Sequence, residues 1–566
     1  MLNLQFKLMQ IIKWIFTFIA LSFGAEYLMA QTLEQNLLEK YLNYRQRLEN
    51  EFVVISSDVE LYGVNIPAID RKTDTYGNQN LRWSDGNSNF NNYISMLVTE
   101  IVLLKKFGND YQTSLNELIY TFLAIERLDL YSEYNLRKFW DNKILHEGDS
   151  INAYIKYPAD INGFMLRDDV SLGFWMRYYP HFGMEFGKLD ENLTKTNKYF
   201  SVFQQGIEPM QAMSQDNVIR MLEALALTHH LMEKEPIYNV PMNFINPLIP
   251  HYLITQDIMT EDSVDFKRWT EDIATRLIKN MQQPENQVKM CLKPWYKIGQ
   301  ESSNQFLSIL STRWYMTNPI RRKPVAEGSG NDFGIFINAY GLGEYGKRLT
   351  GKDEFHFQGS ESGLSKWLFN MAVYKEIRLP IGASIPLPKN WDDVLPRTLA
   401  ASANINSNRK KIFLQLRDKR ADHTFEHMIM TNYLMNKAEL ADFYHPGTAM
   451  WIEDSIFIAD ILAEAPPNGP FSDTSMANYS VHWCTSSRVI WPAHEPSKRA
   501  TKDFEFAGID YLMLHNLYRL VYGGDNYYLN LNPVRKRDMN FNKYTKEGMQ
   551  ENSEFFIHAP VIVREK

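Results

Sequence analysis

Charged side chains that could do chemistry stand inside an apolar string at residues 163–170. Arg167, Asp168 and Asp169 follow one another between hydrophobic neighbours. A carboxylate beside an arginine has its ionised form favoured, so this group suits a base or a substrate-orienting site better than an acid. The alternative is a structural Arg–Asp pair that fixes a long loop.

A second carboxylate, Asp216, follows a serine that is typical of a helix N-cap. If Ser214 caps a helix, Asp216 and Asn217 fall in its first turn, where the helix dipole favours an ionised carboxylate. Arg220, four residues on, shares a face with Asp216. We expect Asp216 to be the ionised member of a catalytic pair; the alternative is that Ser214 and Asp216 only cap the helix.

A third group mixes aromatic, amide and acidic side chains in a way that suits a sugar. A sugar ring stacks on aromatic side chains while amides and carboxylates bind its hydroxyls. The group consists of Trp295, Tyr296, Gln300, Glu301 and Asn304. The glycine-rich loop at 326–333 adds Glu327, and we expect both segments to line one cavity. An ordinary helix-capping loop has the same composition.

Residues 423–427 fit the pattern H-x-x-E-H. On a helix this spacing places His423 and His427 on one face with Glu426 as general base, and so it resembles the inverzincin metallopeptidases. Glu505 would be the third zinc ligand. The resemblance covers five residues, and the alternative is a helix face on which His423 is a catalytic or binding group. We expect no cofactor, because the G-x-G-x-x-G match at 341–346 lacks the strand and long helix of a dinucleotide site.

The elements that must position these residues are mostly helices. Apolar residues recur with a period near 3.6 in eleven segments, and strand-like stretches are few. The predicted helices are 32–51, 90–107, 113–131, 214–234, 262–282, 302–316, 332–347, 361–378, 422–438, 447–464 and 505–522. Strands are predicted at 52–62 and 555–563.

This pattern predicts a mainly α protein, an (α/α) barrel or toroid of helix pairs with long loops at one mouth and a few short peripheral strands. Residues 221–227 are apolar on most faces, as an inner helix would be. Residues 31–566 form one domain in this interpretation, with strand-containing extensions at about 52–72 and 524–566. An irregular helical bundle is the alternative.

The first 30 residues read as a secretory signal. Two lysines precede an uncharged run that is too short for a membrane span, and Ala30 suits cleavage. We expect an exported protein, periplasmic or extracellular, without a stable membrane anchor after cleavage; an uncleaved anchor is the alternative. In an oxidising compartment Cys291 and Cys484 either pair or remain two buried thiols. The net charge of -7 argues against nucleic acid as a partner.

Long aromatic-rich segments at 148–190 and 465–503 separate the predicted helices, and the second contains Trp483 and Arg488. The strings at 163–170, 213–217 and 506–518 resemble uncharacterised exported bacterial proteins thought to be helical toroids. That resemblance implies the fold and brings no assigned reaction. Asp510, His515 and Asn516 are expected to lie in apolar surroundings, and the pair at 229–230 to be structural.

Together these features predict a carbohydrate-active protein that cleaves a polysaccharide or oligosaccharide. Hydrolysis needs one protonated and one ionised carboxylate, with Asp169, Glu301 or Glu327 as the acid beside Asp216. In a lyase, His423 or Tyr296 would abstract a proton, and an arginine, Arg167 or Arg488, would hold a uronate carboxylate. The alternatives are a non-catalytic exported glycan-binding or surface-structural protein and, third, a zinc metallopeptidase.

Overall fold

The fold is taken from a computed structural model. It describes the residues in the following ranges: 33–53, 67, 70–73, 79–82, 86–140, 163, 165, 215–237, 248–282, 287–289, 312–314, 317–318, 323–324, 376–378, 384–386, 414, 417, 444–467, 469, 471–472 and 504–523.

Helices dominate this part of the chain. Helix α1 covers 33–47 and ends in a π-turn at Leu48–Phe52. The others are α2 Gly86–Lys106, α3 Gln112–Trp140, α4 Gln215–Leu231, α5 Leu248–Thr255, α6 Phe266–Gln282, α7 Ala449–Glu464 and α8 Ile509–Tyr522.

The strands are short and antiparallel. One four-stranded sheet has the order β11-β12-β1-β2, built from β1 Asp70–Thr73, β2 Gln79–Arg82, β11 Phe471–Ser472 and β12 Phe504–Phe506. The remaining strands form two-stranded pairs: β3 Lys234–Pro236 with β4 Ser263–Asp265, β5 Gln287–Lys289 with β6 Thr312–Trp314, β7 Thr317–Asn318 with β8 Lys323–Pro324, and β9 Glu376–Arg378 with β10 Ser384–Pro386.

Helix α2 lies at the centre of the described core. It packs against α3, α4 and α8, while α6 packs on α4 and α7 on α8. Its side chains from Phe90 to Leu104 are mostly buried on every face, including Tyr93, Leu97 and Ile101. A helix that is buried on all faces must be surrounded by other elements, which is the position α2 holds.

Helix α1 joins the two ends of the described chain. The Lys40 ammonium donates to the carbonyl oxygens of Leu462 at 3.2 Å and Ala463 at 2.7 Å, at the C-terminus of α7. The Leu462 carbonyl also accepts from the amide of Ala465, the C-cap residue, at 3.3 Å, and a cation is favoured at this end of a helix. The Tyr44 hydroxyl donates to the Pro466 carbonyl at 2.7 Å. Helix α1 is therefore bound directly to the C-terminal end of α7.

The structure confirms the mainly α prediction, and helices occupy seven of the predicted segments. The predicted inner segment 221–227 is buried wherever its side chains are described. The prediction of a helix was wrong at 312–314 and 376–378. Both segments are strands, which pair with Gln287–Lys289 and Ser384–Pro386 respectively. The helix prediction was also wrong at 234, 263–265 and 505–506, which belong to β3, β4 and β12, and α5 was missed. Short runs rich in Thr, Trp and Ile fit a strand as well as a helix turn, and the pairing partner decides.

The predicted helices at 332–347 and 422–438 lie outside the described residues, as does the predicted strand at 555–563. The predicted strand at 52–62 begins instead in the π-turn and is not described beyond Val53.

Candidate functional site

Helices α3, α5 and α6 bring one arginine and three carboxylates together, and we call this group the Arg276 cluster. Its members are Glu126 and Asp129 from α3, Tyr252 from α5, and Trp269, Asp272 and Arg276 from α6. Residues three or four apart lie on one helix face, so each helix presents its members together.

Arg276 contacts all three carboxylates. Its Nη2 donates to both carboxylate oxygens of Glu126, at 2.7 and 2.8 Å, and its Nε donates to Asp272 Oδ2 at 3.0 Å. Its Nη1 donates to Asp129 Oδ2. Arg276, Glu126 and Asp129 are buried, whereas the Asp272 side chain is 22% exposed. One guanidinium therefore serves three carboxylates, and only one of these reaches the surface.

Further donors complete the cluster. The Trp269 indole donates to Glu126 Oε1 at 2.8 Å, and the Tyr252 hydroxyl lies 2.8 and 2.9 Å from the Asp272 oxygens. Trp269 is fully buried, and its ring packs on Phe122 at a centroid distance of 5.0 Å. The apolar side of the cluster is thus closed by aromatic rings, and Tyr252 and Asp272 mark its half-exposed edge.

Burial controls the protonation of the cluster. Burial, helped by the charges of Asp272 and Asp129 and opposed by Arg276 and the Trp269 indole, raises the pKa of Glu126 to about 7. Burial also raises the pKa of Asp129, although Arg276 and the Gly163 amide favour its ionised form. Near neutral pH Glu126 therefore exchanges a proton while it contacts a guanidinium and lies near two other acids. A carboxyl group that titrates near neutral pH is what acid–base chemistry uses.

The chain at Gly163 is bound directly to this cluster. The Gly163 amide donates to Asp129 Oδ1 at 2.8 Å, and Met165 is buried. Gly163 has a φ of 87°, and a Cβ there would lie 2.1 Å from the Arg276 carbonyl oxygen. Only glycine fits a left-handed residue this close to another backbone. The cluster therefore fixes the start of the 163–170 string.

A second buried cluster surrounds Arg45 and joins α1, α2 and α3; we call it the Arg45 cluster. Arg45 Nε donates to Glu100 Oε2 at 3.0 Å, its Nη1 donates to Glu117 Oε1 at 3.2 Å, and Nη1 also lies 2.9 Å from Glu49 Oε1. The Ser114 hydroxyl donates to Glu100 Oε1 at 2.6 Å. Tyr41 and Tyr93 donate to Glu100 and Glu117 respectively. Since all these side chains are buried, the cluster ties helices together without access to a substrate.

His515 and Asn516 of α8 adjoin that cluster. Asn516 Nδ2 donates to the Tyr41 hydroxyl at 3.2 Å and to the Met96 carbonyl at 3.1 Å. The His515 ring stacks on Tyr41 at 4.5 Å, and burial lowers its pKa to about 3. His515 is therefore neutral at physiological pH. Asp510, His515 and Asn516 are buried, but their surroundings are not purely apolar as expected, because Asn92 Nδ2 donates to Asp510 Oδ1 at 3.3 Å and Asn516 donates to Tyr41.

Few of the predicted site residues fall in the described part. Helix α4 begins at Gln215, so Asp216 and Asn217 lie in its first turn as predicted. Glu505 lies in β12, opposite Arg71 and Phe471. The following predicted residues lie outside the described ranges: Arg167, Asp168, Asp169, Trp295, Tyr296, Gln300, Glu301, Asn304, Glu327, His423, His427, Trp483 and Arg488, together with Cys291 and Cys484.

The Arg276 cluster was not predicted from the sequence. The signal was present in two spacings, Glu126 to Asp129 and Asp272 to Arg276, but charged residues at such spacings usually form an exposed helix face. His229, expected to be structural, pairs with Glu271, with His229 Nε2 and Glu271 Oε1 3.0 Å apart.

Two further findings concern the described ranges. None of the helices there is long and apolar enough to cross a membrane. No group of three or more His, Cys, Asp or Glu side chains in those ranges is arranged to hold a metal ion, and in the Arg276 cluster the guanidinium contacts all three carboxylates.

Comparison of the chain with protein-family models, curated proteins and solved structures gave no match.

Proposed function

We propose that the protein is an exported carbohydrate-active enzyme, a glycoside hydrolase or polysaccharide lyase that acts on a polysaccharide or oligosaccharide. The observation that carries the proposal is the bond from the Gly163 amide to Asp129 in the Arg276 cluster. It fixes the chain four residues before Arg167, and four residues span at most about 14 Å. The charged residues of the 163–170 string therefore follow a residue that is bound to a buried, acid-rich cluster.

The position of Asp216 supports the same site. Strand β3 follows α4 and pairs with β4, which precedes α6, so α4 runs toward a common end and α6 away from it. Because α4 and α6 pack together and run in opposite directions, the start of α4 with Asp216 and the second half of α6 with Arg276 both lie away from the β3–β4 end. This arrangement favours a site to which the amino end of α4 and the chain after Gly163 both contribute.

Hydrolysis at such a site uses two carboxylates with different protonation. Asp216 is the ionised one, since a helix N-terminus stabilises negative charge by about 0.3–2 kcal/mol. Asp169, Glu301 or Glu327 supplies the acid. In the lyase form of the proposal, His423 or Tyr296 removes a proton and Arg167 or Arg488 binds the uronate carboxylate.

The remaining proposed residues bind the sugar. Trp295, Tyr296 and Trp483 stack on sugar rings, while amides and carboxylates hold the hydroxyls. The amides and carboxylates concerned are Asn217, Gln300, Asn304 and Asp168. For the arrangement of the helices we propose an (α/α) barrel, because the long loops of such a barrel gather at one mouth.

In the test, purified protein of residues 31–566 is incubated with a panel of neutral and uronate polysaccharides. New reducing ends, which hydrolysis produces, and unsaturated uronate, which a lyase produces, are measured separately. Asp216→Asn should abolish turnover and leave glycan binding intact. Asp110→Asn is the matched control, because Asp110 also stands at a helix start, where it accepts from the Gln112 amide at 3.0 Å. Unchanged turnover in Asp216→Asn would remove Asp216 from the mechanism.

Two other outcomes would replace the proposal. Glycan binding without any product identifies the non-catalytic glycan-binding or surface-structural alternative. Stoichiometric zinc in the purified protein, lost together with peptidase activity in a His423→Ala variant, identifies the metallopeptidase.

A further inference from the structure

The sequence contains two Asn–Gly pairs, Asn162–Gly163 and Asn468–Gly469. Asparagine is a thermolabile residue, and it is most so before glycine, because a residue without Cβ leaves its backbone nitrogen open to the asparagine side chain. Both glycines have a left-handed φ, 87° for Gly163 and 98° for Gly469. The two pairs differ in the acceptor that each glycine N–H has.

The reaction at such a pair begins at the glycine nitrogen. This nitrogen attacks the side-chain carbonyl carbon of the asparagine and forms a five-membered succinimide, while the side-chain nitrogen takes up the proton and leaves as ammonia. Water then opens the ring at either carbonyl and gives aspartate or isoaspartate. The succinimide nitrogen has no proton to donate, so any hydrogen bond from the glycine N–H must be lost before the ring closes.

At Gly163 the acceptor is a buried carboxylate. The Gly163 amide donates to Asp129 Oδ1 at 2.8 Å, and Asp129 Oδ2 accepts from Arg276. Ring closure would remove this donor, and a hydrogen bond to a charged group contributes more stability than one to a neutral group. The carboxylate also opposes loss of the amide proton, because a second negative charge beside it is unfavourable.

Backbone packing restricts the same residue. A Cβ on Gly163 would lie 2.1 Å from the Arg276 carbonyl oxygen and 2.8 Å from the Leu277 nitrogen, so the Gly163 backbone lies directly against α6. Its nitrogen can therefore leave Asp129 only when this segment opens locally, and the rate of modification is limited by that opening.

Gly469 provides the comparison within the same chain. Its amide donates to the neutral Pro466 carbonyl at 3.3 Å. The atoms closest to a Cβ at this position, at 2.6–2.9 Å, belong to the Arg47 side chain, which can move more easily than a helix backbone. The Gly469 nitrogen is therefore held less firmly than the Gly163 nitrogen.

We propose that Asn162–Gly163 is a latent deamidation site and that Asp129 withholds its reacting nitrogen. Conversion would add a carboxylate next to a cluster in which three carboxylates already share one guanidinium. The isoaspartate product also lengthens the backbone by one methylene group directly before Gly163. Both changes oppose renewed binding to Asp129, so the modification releases the chain at Gly163.

Peptide mapping by mass spectrometry measures both conversions in one sample of wild-type protein. The protein is aged at mildly alkaline pH, folded and in urea, and each folded rate is divided by the rate of the same pair in urea. We expect folding to slow conversion at Asn162 by about tenfold or more, as a hydrogen bond to a charged group allows, and to slow Asn468 less. Protection of Asn162 below about tenfold, or no greater than that of Asn468, overturns the proposal.

Asp129→Asn removes the charge of the acceptor and keeps its size. The ratio of the Asn162 rate to the Asn468 rate should rise about fivefold or more, the difference between a charged and a neutral acceptor. A general loss of folding would raise both rates together and leave the ratio unchanged. An unchanged ratio overturns the role of Asp129, and a lower ratio does so too, because Asp129 would then act as a base that speeds the reaction.

Asp272→Asn is the matched control. Asp272 contacts the same Arg276, whereas the Gly163 amide donates to Asp129. The control should leave the ratio at its wild-type value, and a rise equal to that of Asp129→Asn would assign the effect to the charge of the cluster and overturn the proposal. No substrate takes part, so the outcome is independent of the proposed enzyme.

Discussion

Replacement of Arg45 by methionine is the most direct test of how the described core is held together. Arg45 is 2% exposed and contacts Glu49, Glu100 and Glu117. Removing one partner of a buried ion pair costs about 3–5 kcal/mol, because the other charge stays buried without compensation. Here one guanidinium serves three carboxylates, so we expect a loss of about 5 kcal/mol in the free energy of unfolding.

Such a loss is large against the total stability of about 5–15 kcal/mol that native proteins have. Urea unfolding followed by circular dichroism measures it as a lowered midpoint. Arg268→Met is the matched control, because its ion pair with Asp257 is exposed and exposed pairs contribute at most about 1 kcal/mol.

A second variant separates charge from packing. Adding Glu117→Gln to Arg45→Met removes one of the three carboxylates that Arg45 contacts, while the Tyr93 hydroxyl keeps an acceptor. We expect this double variant to recover part of the loss, and the Arg45→Met loss to be smaller at pH 5 than at pH 8, because protons can replace the missing positive charge. A midpoint for Arg45→Met equal to that of Arg268→Met would refute the reasoning.

Three other changes have defined outcomes. With a pKa of about 7 for Glu126, the unfolding free energy of the wild type should fall by about 3 kcal/mol between pH 4.5 and 7. Glu126→Gln should abolish this fall, as measured by urea midpoints over that range. His515→Phe should act oppositely: a histidine with a lowered pKa of about 3 loses stability as the pH falls below its ordinary 6.5, about 2 kcal/mol by pH 5, so this variant should withstand acid better than wild type. Lys40→Met should lower the unfolding free energy by about 1–3 kcal/mol because the Leu462 and Ala463 carbonyls lose a charged donor, and an unchanged midpoint would contradict that role.

The sequence predicted the helices well because their information is local. Helices α2, α3 and α4 carry apolar residues with a clear period, and the burial of residues 221–227 follows from it. The strands were harder: β5 and β6 have three residues each, and they exist because they pair with each other.

The Arg276 cluster could not be predicted for a related reason. Glu126 and Arg276 are 150 residues apart, and nothing in either local sequence specifies the other. Gly163 carried a visible signal, a glycine at the start of a charged string, but its partner Asp129 lies in a helix that reads as ordinary. Long-range pairing of buried charges depends on the fold, whereas helix period does not.

The contacts of α1 also determine when the protein can finish folding. The Tyr511 hydroxyl donates to the Leu37 carbonyl across 474 positions of sequence, and Tyr44 packs against the Tyr511 ring at 4.5 Å. Contacts between distant positions form late, because the chain between them must first be ordered or closed into a loop. During synthesis the part of α1 that Tyr511 covers, at Leu37 and Tyr44, therefore stays exposed until residues 509–522 have been made. A chain that stops before them would leave that part exposed and be prone to aggregate.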